Sequence, residues 1–264
     1  MKSERAMSKV HPTAVVHPDA VLHESVEVGP FAVIGPHVKI GEGSVVGPHS
    51  VIEGDTTIGA RNRIFQFASV GAVPQDLKYG GEPTRLVIGD GNQIREFTTL
   101  HIGTAGGTGV TRIGDGNLLM AYSHVAHDCN VGSHCVLANS VALAGHVEVG
   151  DHVILGGLSA VHQFTRVGTH AFISGGSMVA MDVPPYCTAQ GDRAELVGLN
   201  TVGLTRHGYT EEQISRIKHA YKVLFRSKLG LNEALGKLQA EHGNHPETKL
   251  LLDFVANSQR GVTR

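Results

Sequence analysis

The chain has 264 residues and a formal charge of −2, which gives no global reason to expect nucleic acid or an anionic membrane as partner. Three cysteines without a CxxC argue against a disulfide framework and fit a reducing compartment. The opening MKSERAMSKV lacks the apolar core of a signal peptide and no run of eighteen apolar residues occurs, so the expectation is a soluble, cytoplasmic protein without stable membrane insertion.

Residues 1–9 read as a short polar lead-in. From Val10 an aliphatic residue then returns at every sixth place: Val10, Val16, Leu22 and onward to Val70, again at Ile88, Ile94 and Leu100, and from Ile113 without a gap to Val179. These twenty-six positions fit neither the helical period nor a plain strand alternation, so the unit is a short extended segment followed by a turn. Four places after each comes a smaller residue, as at Ala14, Ala20, Ala32 and Ser44. One large and one small inward side chain per hexad suit the narrow interior of a parallel β-helix, where three hexads close a coil and residues eighteen apart stack. The period leaves the hand of the coil open. Many glycines follow a ladder residue at once, such as Gly29, Gly41, Gly59 and Gly132, and read as corner residues with positive φ.

Two interruptions break the ladder. Residues 71–87 contain AVPQDLKYGGEPTR, which a solenoid can accommodate only as a loop leaving a corner. Residues 103–111, GTAGGTGVT, could cradle a phosphate, but with no following Lys-Ser/Thr or helix start they read as a flexible excursion. After Val179, MDVPPYCTAQG ends the repeat and the tail turns helical. TEEQ is cap-like before the stripe Ile214, Ile217, Tyr221, Leu224 and Phe225, and 232–242 and 246–258 repeat the pattern. The expected organisation is mainly β, a hexapeptide-repeat solenoid over 1–190 followed by a small α-helical domain over 191–264. The tail carries Arg206, Arg216, Lys218, Lys222, Arg226 and Lys228 against Glu211 and Glu212, either a solvated face or a surface for an acidic protein.

Of seventeen histidines, His11, His17, His23, His37 and His49 fall on early corners and read as surface residues. Cys129 and Cys135 occupy small inward positions and, with Cys187, read as core thiols. A denser group occurs in HVAHDC, LAGH and AVHQF. His146 lies eighteen residues after Asp128 and Gly145 eighteen after His127, so each should stack on the other, with His162 about a coil further along the same edge and His124 on the next corner back. Three readings are open: stacked structural histidines, a metal site of three imidazoles, or a histidine made basic by a carboxylate for removing a proton from a hydroxyl. No Ser or Cys is placed to be acylated, so direct transfer between two bound substrates fits better than a covalent intermediate.

The words QDLKYGGEPTR, NLLM, HVAHDCNVG, LANSVALAGHVEVGD, GGLSAVHQF, DVPPY and AQGD resemble the UDP-N-acetylglucosamine acyltransferases of lipid A biosynthesis over essentially the whole chain. That resemblance implies a left-handed parallel β-helix, a homotrimer with sites between subunits, and transfer of an (R)-3-hydroxyacyl group from acyl carrier protein to the 3-hydroxyl of UDP-N-acetylglucosamine, with no cofactor and no metal. It implies His127 as general base, Asp128 as its orienting carboxylate and Gly145 as an oxyanion donor. Asp76, Lys78, His124, His146, His162 and Gln163 would contact substrate, and Gly175 would leave the acyl groove long. Asn200 and Arg206 match nucleotide-contacting positions, whereas Val202 and His207 depart from the family's glutamate and arginine, which puts nucleotide contacts there in question. The rivals are N-acyl transfer on a related nucleotide sugar, a β-helix zinc carbonic anhydrase, and a binding solenoid with no chemistry.

Overall fold

The computed structural model describes residues 9–264, so the lead-in lies almost wholly outside the described residues. Short strands, most of two residues, run from Val15–Val16 to Met178–Val179 around a triangular coil with three parallel sheets. The first face has nine strands, the second eight, beginning at Val21–Leu22, and the third ten, beginning at Glu27–Val28. Regular coils pair residues eighteen apart, as Val15 with Val33 and Val136 with Leu118. Both insertions leave the same corner, between the first and second faces: one runs from Ala72 to Arg85, the next from His101 to Val110. The ladder residues fill the interior, Ile34, Leu100, Leu119 and Leu143 being at most 1% exposed. Val10, Val16 and Leu22 are only half-buried, at the end where the coil begins.

The corners overturn the expectation about glycine. Of the glycines that directly follow a ladder residue only Gly71 has positive φ; the left-handed conformation sits two places later, at Phe31, His49, Phe67, Tyr122, Asp128, His146, His152 and His170 among others. Such a conformation strains a side chain. Here it is fixed by the coil below, because the N–H of the strained residue donates to an oxygen there, as His49 to the Pro30 carbonyl at 3.1 Å, His146 to the His127 carbonyl at 3.0 Å and Asp128 to the Thr111 hydroxyl at 2.8 Å. The glycines are needed for space instead. A Cβ on Gly41 would lie 2.7 Å from the Gly59 carbonyl carbon.

The coil does not give way at once to helices. Cys187–Gln190 continues the third sheet parallel to Phe172–Ile173, and Glu195–Leu199 turns back antiparallel on it. Helix α1 (Thr201–Arg206), a short element absent from the periodicity, precedes α2 (Glu211–Phe225), α3 (Leu231–His242) and α4 (Pro246–Ala256). Thr210 and Gln213 form a reciprocal capping box that starts α2 where TEEQ suggests. Ile217, Leu224, Leu238 and Leu251 build a second apolar cluster beneath Tyr186. The three cysteines are buried, and burial pushes the Cys129 and Cys135 thiols up to about 12, which leaves them inert core side chains. Among the described residues no helix is long and apolar enough to cross a membrane.

Candidate active site

The corner carrying both insertions also carries HVAHDC, one coil beyond the second loop. His124 ends up on the strand, beside ladder residue Val125, rather than on a corner of its own. Three places after that ladder residue the chain takes its left-handed turn at Asp128, with φ of 59°. This folds the carboxylate back under the neighbouring ring, and Nδ1 of His127 lies 2.9 Å from Oδ2 of Asp128. The Asp128 side chain is fully buried and His127 keeps 15% of its surface.

The Gly-rich loop is neither a flexible excursion nor a phosphate cradle. It wraps Asp128: the Thr104 N–H and hydroxyl donate to Oδ2 at 3.1 and 2.6 Å, and the Thr108 hydroxyl and Gly109 N–H donate to Oδ1 at 3.2 and 3.0 Å. Burial pushes the Asp128 pKa up, but the hydrogen bonds from the Thr104 hydroxyl, His127 and the Thr104 N–H outweigh it and hold the group below the usual carboxylate range. An ionised carboxylate can only accept, so Nδ1 of His127 carries the proton and Nε2 presents a lone pair.

One coil on, Gly145 lies against that ring as the eighteen-residue spacing requires, so close that a Cβ would fall 2.6 Å from Cε1 and 2.7 Å from Nε2 of His127. The Gly145 N–H finds no acceptor among the described residues. It belongs to the repeat position two places past the ladder, filled by proline at Pro18, Pro30, Pro36 and Pro48. His146 stands edge-on to His127 with ring centres 5.0 Å apart, and its Nδ1 is 4.0 Å from Asp128. Burial lowers the His146 pKa, partly offset by Asp128. Behind them His124 accepts or donates at 2.7 Å to Thr99, and His101 meets its ring edge-on at 4.9 Å. His101 is almost fully buried with Nδ1 unpaired, and burial lowers it to about 4.

A Myxococcus xanthus protein named as an acyl-carrier-protein-dependent UDP-N-acetylglucosamine O-acyltransferase is 68% identical over 258 residues, 98% of this chain and 100% of that protein. The chain belongs to this family. The family model "Udp N-acetylglucosamine O-acyltransferase; Domain 2" matches residues 182–263, and the bacterial transferase hexapeptide model matches 19–54 and 111–145. The solved Moraxella catarrhalis UDP-N-acetylglucosamine O-acyltransferase superposes with a TM-score of 0.95 at 45% identity, covering 97% of this chain and 100% of that one. The Francisella novicida acyltransferase gives 0.93 at 43%, over 97% and 94%. With this membership the solenoid is a left-handed parallel β-helix, the hand that the period leaves open.

Other residues singled out by the family resemblance scatter over the molecule. Asp76 sits in the first loop, where its Oδ1 accepts the Lys78 N–H at 3.0 Å, and its charge weakly opposes the burial that lowers the His146 pKa; the Lys78 side chain is exposed. His162 and Gln163 are on the same corner as His127, but Phe164 takes the place over His146, with ring centres 4.3 Å apart. His162 instead lines a separate concavity of about 630 Å³ with Ala144, Ala160, Met178 and Met181. Gly175 is exposed on the corner between the third and first faces, across the first face from His127. Asn200 caps α1, accepting the Gly203 N–H at 3.1 Å and donating to the His170 carbonyl at 3.0 Å, on the corner between the second and third faces. Arg206 is exposed at the end of α1. One chain therefore joins His127, Asp128, Gly145, His146 and Asp76, and leaves Gly175, Asn200 and Arg206 on the two other corners.

Sequence reasoning missed Thr104, Thr108, Gly109 and His101, and also Arg112 in the cleft of about 600 Å³ beside Asp128 and His146. Only the loop's Thr and Gly content hinted at an anion, and it pointed to the wrong one.

Proposed function

We propose that this chain transfers an (R)-3-hydroxyacyl group from acyl carrier protein to the 3-hydroxyl of UDP-N-acetylglucosamine, the opening step of lipid A biosynthesis, in the cytoplasm. The observation that carries the reading is one corner holding a His127 ring hydrogen-bonded to Asp128 and, packed against its other nitrogen, the Gly145 backbone, whose N–H has no acceptor among the described residues. In this reading Nε2 of His127 takes the proton of the sugar hydroxyl as its oxygen attacks the thioester carbonyl. The oxyanion accepts the Gly145 N–H. On collapse the C–O bond is kept, the C–S bond breaks, and the imidazolium returns its proton to the departing thiolate of the carrier.

Contact with substrate is proposed for Asp76, Lys78, His124, His146, His162 and Gln163. The apolar shelf of Ala144, Ala160, Met178 and Met181 beside His162 suits an acyl chain. Gly175, Asn200 and Arg206 join the site only if a second copy brings another corner to it, and this supports a homotrimer with shared sites. An exposed ladder of stacked rings, Phe31, His49, Phe67, Phe97 and Tyr122, runs down the corner between the third and first faces and suits such burial. Asn200 spends its side chain on a helix cap, so its nucleotide contact is the weakest member of the set. The division at residue 190 belongs to the same proposal: two separate apolar clusters support it, while the antiparallel strands Cys187–Gln190 and Glu195–Leu199 cross it.

The zinc reading is disfavoured by donor chemistry. Among the described residues this corner offers a metal two imidazoles and a carboxylate whose oxygens already accept five hydrogen bonds. Mass spectrometry of the product from UDP-N-acetylglucosamine and mixed hydroxyacyl carriers tests the assignment. An O-linked hydroxyacyl product is expected; a product formed only from an amino sugar would replace it with N-acyl transfer, and stoichiometric zinc with no transfer would replace it with the anhydrase.

A further inference from the structure

The loop of residues 103–109 has no role in the reading above, yet both of its threonines and the Gly109 N–H reach one group. Four of the five hydrogen bonds to the Asp128 carboxylate come from it, two of them from the Thr104 N–H and hydroxyl. Gly107 faces the same carboxylate so closely that a Cβ would stand 2.4 Å from its Cγ. The loop is held from outside as well. The Thr84 hydroxyl donates to the Gly103 carbonyl at 2.6 Å, and the Ala105 N–H donates to Oε1 of Glu82 at 3.2 Å. Thr84 and Glu82 belong to the first insertion, which also carries Asp76 and Lys78.

We propose that this second insertion is a fixed carboxylate cradle, and that Thr104 is a positioning residue acting on His127 through Asp128. A carboxylate with a single partner can rotate about its last bond. With both oxygens held, Oδ2 has one direction left, towards Nδ1 of His127, and the imidazole ring follows. The second-nearest imidazole, His146 at 4.0 Å, is thereby kept from competing for the same oxygen. The donors are neutral hydroxyls and backbone amides, so the cradle holds the charge without neutralising it. The other charged or titratable groups around Asp128 are His127, His146 and the buried Cys129, with Arg112, Glu148, Arg166, Asp182 and Arg260 in the adjoining cleft. Since the first insertion anchors the loop, the segment proposed to meet substrate also braces the base.

The readout rests on the acyltransferase reading, so His127→Ala is assayed in parallel. Thr104→Val keeps the shape and removes the hydroxyl donor. It is expected to lower kcat about tenfold with KM within about twofold, the scale of one hydrogen bond to a charged group. Thr104→Ser restores kcat. A Thr104→Val enzyme with kcat and KM both within about twofold of the parent, while His127→Ala is inactive, overturns the cradle and leaves the acyltransferase reading intact. Retained transfer in His127→Ala overturns both. Should Thr104→Val fail to fold, Thr108→Val removes a donor from the other oxygen and is judged by the same two readouts.

Discussion

All three corners of this solenoid carry histidine three places past the ladder with nearly the same left-handed backbone, and two of them make a comparison: His146 on one, His134, His152 and His170 on the other, φ between 58° and 62°. On the first, the neighbouring coil supplies Asp128, and the rings of His127 and His146 gather around one carboxylate. On the second, His134, His152 and His170 stack face to face at 5.1 and 4.7 Å, and His207 of the helical tail leans on two of them at 4.6 and 4.9 Å. Among the described residues no carboxylate pairs with Nδ1 of His152 or His170, which is buried without a partner in both. Asp151, the acid nearest by, gives Oδ1 to the Ser133 N–H. The fold supplies equivalent slots on each edge, and the partner in the adjacent coil decides whether a ring there is a base or a packing element.

The sharpest way to break this contrast is to remove the charge and keep the shape. Asp128→Asn should lower kcat by about a thousandfold, since an amide can donate to Nδ1 and turn the lone pair inward. Steady-state rates with the circular dichroism of the variant as a folding control check it; a loss below about tenfold would show that the carboxylate does not set the tautomer. Next in size is Gly145→Ala. Its Cβ meets the His127 ring at 2.6 Å, so the ring must move while the Asp128 cradle stays. A displacement of that kind costs about a hundredfold in kcat. An unchanged kcat would place the reactive nitrogen elsewhere.

The ladder was readable because a solenoid repeats its burial pattern coil after coil, so twenty-six positions report one geometry. The stacking of Gly145 on His127 followed from the same count. What the repeat hides is chemistry between non-equivalent segments. GTAGGTG names no target, and only the coordinates put Thr104 and Thr108 on Asp128 rather than on a ligand. Local rules put the left-handed turn at the glycine, two residues early, because that glycine answers to the coil above, and bulky Phe31 or Leu158 holds positive φ through a hydrogen bond from its N–H to the adjacent coil, to the Thr13 hydroxyl and the Asn139 carbonyl, that no local rule foresees. His207, a departure from the family pattern in sequence, is half of a contact between tail and solenoid.

That second corner has its own signature, in stability rather than rate. Burial, then the charges of His152 and His207, lower the His170 pKa to about 4, against only a weak opposing pull from Asp151. Unfolded, the ring takes its proton near 6.5, so between pH 6.5 and about 4 the unfolded chain binds a proton that the folded one does not. Stability is full above 6.5 and falls as the pH drops through that window, by on the order of 2 kcal/mol from this ring. His170→Asn suits the left-handed backbone and should flatten the decline without touching kcat. Denaturant midpoints at pH 7 and pH 5 measure it. His101, also lowered to about 4, leaves part of the slope in place. An equal decline in parent and variant would mean that the stacked rings are protonated in the native state.

The smallest effect isolates burial from pairing. His219 on α2 and Glu241 on α3 meet at 3.0 Å, nearly the separation of His127 from Asp128, but their side chains are 43% and 38% exposed against 15% and 0%. His219 lowers the Glu241 pKa through its hydrogen bond. Water competes for both groups and salt screens them, so the pair holds its geometry loosely and adds little to the packing of α2 on α3. His219→Gln should therefore shift Tm by less than about 2 °C and leave both kcat and its pH profile unchanged. A larger loss, or one that vanishes at high salt, would show that a histidine and a carboxylate at hydrogen-bond distance are strong in water as well. In that event the five donors around Asp128, not its burial, would separate the reactive corner from every other histidine in the chain.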